Sequence, residues 1–192
     1  MSHHFFAVLS RMKYIQRWVL MRNTRPETVC EHSHDTAVLA HALALLQNRR
    51  FGGNVDVGRC VLLAVYHDAP EIFTGDMPTP VKYYNPALRD AYRQVEEVSA
   101  ERLLAMLPED LQEDYRPLLA AGEMTEERRL VKAADKLSAL IKCVEELKQG
   151  NAEFASARKT LEDAVRGMKI PAADCFLTEF LPSFELTLDE LG

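Results

Sequence analysis

The residues best able to do chemistry are histidines and carboxylates set well apart in the chain: Glu31-His32, then His67-Asp68 with Glu71 close behind, then Ala134-Asp135-Lys136. A neighbouring His and Asp offer one neutral nitrogen and one anionic oxygen to a divalent ion. Glu71 follows His67 by four residues, which puts the two on one face if helical geometry persists, close enough to reach a water on such an ion. The blander meaning of a lone His-Asp pair is an N-cap aspartate beside a surface histidine. Asp135 weighs against that meaning, because it interrupts a stretch from Leu130 to Val144 that is apolar over most of a helix circumference. A carboxylate buried there must be neutralised, either by a base such as Lys136 or Arg17 or by a metal.

His32 is a third candidate ligand, with His34 as its rival two residues on; helix geometry alone does not choose between them. His41, among Leu39, Ala40, Ala42 and Leu43, reads as a core histidine. Two imidazoles and two carboxylates without a thiolate suit Mn, Co, Fe, Ni or Zn and disfavour copper(I).

The elements that must position these groups are helices. Apolar residues recur at helical spacing along most of the chain and alternating β-branched runs are absent, so an all-α fold is expected. A first helix is predicted from about Phe5 to Trp18. Thr28-Val29-Cys30-Glu31 is a capping-box pattern opening a second, to about Asn48. Asp56 caps a third that runs through Cys60, Leu63 and Ala64 to His67, near which Pro70 must end or kink it. Pro70, Pro78, Pro80 and Pro86, with Gly75 and Asn85, mark a stiff, ordered loop. Further helices are predicted from Asn85-Pro86 to about Met106, after Pro108, from Thr125 to Gly150-Asn151, and from about Glu153 to Lys169. Short helical pieces bearing Phe176, Phe180 and Phe184 close the chain.

Composition sets the limits on function. The chain has 192 residues, with 29 acidic against 23 basic side chains and a formal net charge of −6. A domain of this length buries roughly 70% of its unfolded surface and needs no structural metal, so a metal here would serve chemistry. The acidic balance argues against nucleic acid polymers and anionic membranes as partners, though not against one small phosphorylated ligand. Cys30, Cys60, Cys143 and Cys175 form no Cys-x-x-Cys pair and read as reduced core thiols. No apolar run reaches the ~18 residues of a membrane span and no signal peptide is evident, so a cytoplasmic location is expected. Among the eight glycines there is no phosphate-binding loop and no nucleophile elbow. Bound phosphate must be held by side chains, metal or helix ends.

The order Glu31-His32, His67-Asp68-Ala69-Pro70-Glu71, Ala134-Asp135-Lys136 resembles the signature of the HD superfamily of metal-dependent phosphohydrolases. Arg17-Trp18, Met21-Arg22-Asn23, Arg49 to Val55, Thr74 to Tyr83 and Pro182-Ser183-Phe184 narrow the resemblance to its bacterial 5'-deoxynucleotidase branch, over nearly the whole chain. The resemblance implies a single HD-domain helical bundle over residues 1–192, with an HD core at about 28–145. It implies His32, His67, Asp68 and Asp135 as ligands of one divalent transition metal ion, Co²⁺ or Mn²⁺ foremost, then Cu²⁺, Zn²⁺ or Ni²⁺. A metal-activated water would attack phosphorus, with Glu71 relaying protons. Substrate would be held by Arg17, Trp18, Asp68, Asp76, Met77, Pro78, Thr79 and Asp135, with Arg17 on the phosphate and Asp76 on the 3'-hydroxyl.

Trp18 and the Asp76–Thr79 loop would leave little room at the 2' position, which implies deoxyribonucleotide substrates: dAMP, dGMP, dCMP, dTMP and dUMP. A homodimer is implied as well. Met77 and Pro70 depart from the family pattern, and Pro70 bears on where Glu71 lies. The same residues leave two other readings to weigh: an HD enzyme acting on larger nucleotides, which would call for a more basic pocket, and a degenerate HD domain serving as a sensor, which would have no need of the full ligand set.

Overall fold

The first predicted helix breaks early, and the break builds part of the site. In the computed structural model, which describes residues 2–82 and 84–192, α1 spans Phe5–Leu9 and passes into a 3₁₀ turn at Ser10–Tyr14. Beyond Ile15 the backbone is extended, Gln16 pairs with Thr28 in an isolated antiparallel bridge, and Trp18 adopts a left-handed conformation at φ 59°. No helix passes through such a residue. Met1, and Tyr83 at the end of the loop motif, lie outside the described residues.

The capping box predicted at Thr28 is present. Thr28 Oγ1 accepts from the Glu31 N–H at 3.2 Å and Glu31 Oε2 accepts from the Thr28 N–H at 2.8 Å. Two orphan donors are thereby satisfied at the head of α2 (Val29–Arg50). Asp56 likewise accepts from the Arg59 N–H at 2.9 Å and starts α3 (Val57–Tyr66). That helix ends one residue short of His67, so His67-Asp68 lies on a turn. Pro70, which lacks an N–H to continue the ladder, restarts the chain into the short α4 (Glu71–Thr74).

Gly75, at φ 73°, then takes a conformation that a Cβ would strain and turns the chain into the proline-rich segment. That segment is more ordered than a loop, since it contains a helical turn, α5 (Thr79–Lys82). Asn85 caps α6 (Pro86–Leu104) through the Leu88 N–H at 2.8 Å, and α7 (Glu109–Leu119), α8 (Glu126–Lys148), α9 (Ala155–Gly167) and α10 (Pro171–Glu179) follow. Among the described residues there is no strand, and no helix is long and apolar enough to cross a membrane.

Two compact units interleave along the chain. The first comprises residues up to Met21, Pro26–Ser33 and Tyr66–Glu123; the second comprises Arg22–Arg25, His34–Val65 and Met124–Gly192. In the first, α6 and α7 pack on one another and α4 and α5 pack on α6. Its core joins Phe5, Met12, Val29, Ala69, Leu103 and Leu104, sealed by Tyr66 and Tyr115. Phe5 and Tyr66 each meet Tyr115 edge to face, at 5.1 and 5.7 Å between ring centres.

In the second unit α8 is central, as its apolar pattern predicts, and packs against α9 and α10. Two of its buried side chains are charged. Lys142 pairs with Glu146, and the Glu146 carboxylate also accepts from the N–H groups of Thr24 and Arg25, the Thr24 hydroxyl and the Asn151 amide. Burial works to raise this carboxyl, but the bonds from Lys142, Asn151 and Thr24 outweigh it and hold it well below the usual range.

Replacing Glu146 by alanine strands the Lys142 charge, and the expected loss of stability is about 3–5 kcal/mol in urea unfolding at neutral pH. A carboxyl depressed in the folded state stabilises fully above its unfolded value and loses that contribution as pH falls through the folded one. The gap between wild type and Glu146→Ala should therefore narrow on acidification below about pH 4.5, the group's ordinary value. A gap independent of pH would show that packing rather than charge is responsible.

Two predicted core assignments fail. His41 is exposed, on the outer side of α2, because the apolar residues beside it in sequence point to other faces of the helix. Of the four thiols Cys60 and Cys143 are buried, whereas Cys30 is exposed and Cys175 is partly so.

Candidate functional site

Three short segments of the first unit bring the chemical groups together: the extended stretch at Arg17-Trp18, the first turns of α2 at His32, and the turn at His67-Asp68 leading into α4. His32 is fully buried while the His34 side chain is 77% exposed, a difference produced by the roughly 200° that two residues rotate around a helix. Only the His32 ring can face inward.

One oxygen of Asp68 is the point of convergence. Its Oδ2 lies 3.1 Å from His67 Nε2, 3.6 Å from His32 Nε2 and 3.4 Å from Arg17 Nη1. Burial pulls the Asp68 carboxyl upward, yet His67, His32 and Arg17 together overcome it and hold the group well below the carboxylate range. Two imidazole nitrogens and an ionised oxygen at 3.1 and 3.6 Å have the spacing of neighbouring ligands around one first-row divalent ion, each about 2.0–2.2 Å from it. This donor set fits a divalent transition metal, and its mixture of nitrogen and oxygen does not choose among such metals.

Glu71 begins α4 with 8% of its surface exposed, and its Oε2 has no hydrogen-bond partner among the described residues. Its backbone N–H donates to the Asp68 carbonyl at 3.0 Å, which fixes its place relative to the turn. Burial, reinforced by the charges of Asp68 and Asp76, pushes the Glu71 carboxyl up to about 10; Arg17 and Lys82 pull weakly against them. That environment favours the protonated form beside an aspartate held ionised, an arrangement suited to proton donation.

Arg17 also reaches Asp76, with Nη1 at 3.9 Å from Oδ1. Burial raises the Asp76 carboxyl, against the opposing pull of Arg17 and of the Trp18 backbone N–H, which donates to it. The segment carrying Asp76 is tied to α6 at both ends, by Thr74 Oγ1 against the Tyr92 hydroxyl at 3.3 Å and by Lys82 Nζ on Glu96 at 2.7 Å. Of the predicted sugar-recognition residues, Asp76, Met77 and Pro78 are half-buried and Thr79 is exposed at the start of α5.

One residue at this cluster escapes a reading by sequence. Glu27 is buried, and its Oε2 accepts from Arg17 Nε at 3.1 Å and from Trp18 Nε1 at 2.9 Å. Nothing in the run Arg25-Pro26-Glu27 signals this, since the contact spans nine residues of non-repeating chain.

The family model described as 5'-deoxynucleotidase YfbR-like matches residues 4–184. A 5'-deoxynucleotidase of Vibrio vulnificus is 51% identical over 190 residues, covering 98% of each chain. An HD-domain phosphohydrolase from Listeria innocua superposes with a TM-score of 0.83 at 27% identity, over 94% of this chain and 88% of that one. A cyanophage S-2L HD phosphohydrolase, solved with dA and one catalytic Zn²⁺ ion, matches with a TM-score of 0.65 at 22% identity, over 94% and 96%. At that identity the likeness is one of fold.

Proposed function

Because the chain belongs to the 5'-deoxynucleotidase YfbR-like family, and is on that ground a phosphomonoester hydrolase, we propose that it converts deoxyribonucleoside 5'-monophosphates to deoxynucleosides and phosphate and discriminates against ribonucleotides. The observation that carries this reading is the convergence of His32, His67 and Arg17 on one oxygen of Asp68 beside the buried Glu71. In this reading His32, His67, Asp68 and Asp135 hold one divalent cation, which supplies Lewis acidity toward a phosphoryl oxygen and lowers the pKa of water.

The chain's own residues do the rest. Asp68 and Asp135 balance the cation's two charges, so Arg17 provides the net positive charge that draws a phosphate dianion; a planar guanidinium suits phosphate oxygens. Glu71 donates its proton to the departing 5'-oxygen, which leaves as an alcohol. Asp76 accepts from the sugar 3'-hydroxyl, and Trp18 with Met77, Pro78 and Thr79 crowds the 2' position. A 2'-hydroxyl placed there would lack both room and a partner. A cytoplasmic location and a homodimeric state belong to the same reading.

A substrate panel tests it. With Co²⁺ or Mn²⁺ added, phosphate release from dAMP, dGMP, dCMP, dTMP and dUMP should exceed that from AMP by a factor on the order of 10², the discrimination a steric pocket achieves against one added hydroxyl. Equal rates on dAMP and AMP would remove the sugar-recognition part of the proposal. No phosphate release from any monophosphate, with metal bound, would remove the whole.

A further inference from the structure

We propose that Glu27 is the positioning residue of this site: its one oxygen locks the Trp18 indole and the Arg17 guanidinium into a single arrangement, and that lock sets the discrimination between deoxy and ribo sugars. The inference rests on the reading of the site given above and extends it to a residue that would touch neither phosphate nor metal.

The geometry is that of a clamp with two jaws. On one side Glu27 Oε2 holds Arg17 Nε at 3.1 Å and Trp18 Nε1 at 2.9 Å, and the Glu27 carbonyl accepts from the Arg17 backbone N–H at 2.9 Å. On the other side Arg17 Nη1 faces Asp68 and Asp76, and the Trp18 backbone N–H donates to the Asp76 carboxylate. A guanidinium gripped at Nε by one carboxylate and at Nη1 by another has its plane determined, and an indole has a single donor to anchor it.

Trp18 sits at φ 59°, a conformation a bulky L-residue keeps only when its surroundings impose it. Here they do, through the bridge between Gln16 and Thr28, the Glu27 carbonyl, the Asp76 carboxylate and the Met21 N–H, which donates to the Trp18 carbonyl at 2.9 Å. The side chain enters that constraint through its one donor, Nε1, whose hydrogen bond Glu27 Oε2 accepts. Loss of that bond loosens the ring at the position where, in this reading, it excludes a 2'-hydroxyl, and leaves the proposed cation ligands untouched.

The experiment exploits Trp18 as the only tryptophan of the chain, so that intrinsic emission reports on this one ring. Glu27→Ala, and Glu27→Gln as the same-shaped variant with a neutral acceptor, are compared with wild type for acrylamide quenching, metal content and kcat/KM on dAMP and AMP. Expected are a red shift and stronger quenching in Glu27→Ala, a smaller change in Glu27→Gln, unchanged metal content, and a fall of about tenfold in the dAMP-to-AMP preference. Adding Glu27→Ala to Trp18→Phe should cost no further preference, because the acceptor acts through the indole that is already gone.

Unaltered quenching in Glu27→Ala and Glu27→Gln, or a full further loss in the double variant, would overturn the clamp. Absence of any deoxy preference in wild type, with quenching altered as expected, would instead overturn the functional reading and the lock's part in sugar choice, and leave only the hold of Glu27 on the ring. Should Glu27→Ala not fold, the Glu27→Gln series decides by the same criteria.

Discussion

Asp68→Ala should lose the bound divalent cation and the phosphatase activity together, with kcat/KM down by at least roughly 10³, the several kcal/mol that a Lewis acid contributes to phosphoryl transfer. The size of the effect follows from position. A single oxygen of Asp68 faces both imidazole nitrogens and the guanidinium that would bind phosphate, so its removal deletes an anionic ligand and leaves His32, His67 and Arg17 opposing one another. Elemental analysis of the purified variant checks the metal, and phosphate release from dAMP checks the activity. An Asp68→Ala protein that is active and free of metal would sink the mechanism. Asp68→Asn, which keeps the shape and loses the charge, separates ligation from simple misfolding, since it should fold and still bind metal poorly.

Glu71→Gln should keep the cation and lose activity by about 10²–10⁴, the usual share of a positioned general acid or base. Glutamine copies the shape and hydrogen-bonding reach of the protonated acid but has no proton to give. The same substitution has an opposite effect on folding. In the metal-free protein the Glu71 carboxyl rises from its ordinary 4.5 to about 10, chiefly through burial. A carboxyl of that kind binds its proton more tightly folded than unfolded, so stability falls as pH rises between those two values. Glu71→Gln lacks that loss. Its melting temperature without metal should therefore exceed that of wild type, by a margin that widens from pH 5 to pH 9. Activity retained in Glu71→Gln would exclude the proton-transfer role, and a melting difference that does not depend on pH would exclude the burial of an ionisable acid as its source.

The ligand types were legible because their chemistry is local to the residue. Histidine next to aspartate at positions 67 and 68 is by itself a common pair, but an aspartate inside an apolar stretch at 135 carries a physical cost that calls for a counter-charge, and that drew attention to the set. The capping box was legible for a similar reason, since Thr28 and Glu31 satisfy each other's backbone within one turn. Where the reading erred, a longer-range constraint had decided. Helical spacing carried the first helix to Trp18, but the α-helix ends at Leu9 and its 3₁₀ continuation at Tyr14, beyond which Gln16 is paired with Thr28 in a bridge. Apolar neighbours in sequence suggested a buried His41, although neighbours in sequence lie on different faces of a helix.

By itself, then, the sequence determined the helical class, most of the helix starts and, through its family pattern, the reaction type, and it supplied the candidates for metal binding. Each of these depends on side-chain type and on spacings of a few residues. Only the tertiary structure showed why His32, which the family pattern selects, faces inward while His34 does not, that Asp68 Oδ2 is shared by three cationic or imidazole groups, and that Glu71 is buried beside two other carboxylates whose charges push its carboxyl up. It alone revealed Glu27 behind Arg17 and Trp18. Those features depend on separations of a few ångströms between segments as much as 51 residues apart and on the loss of water around them. Neither quantity is written in local spacing, because both arise only when the chain closes on itself.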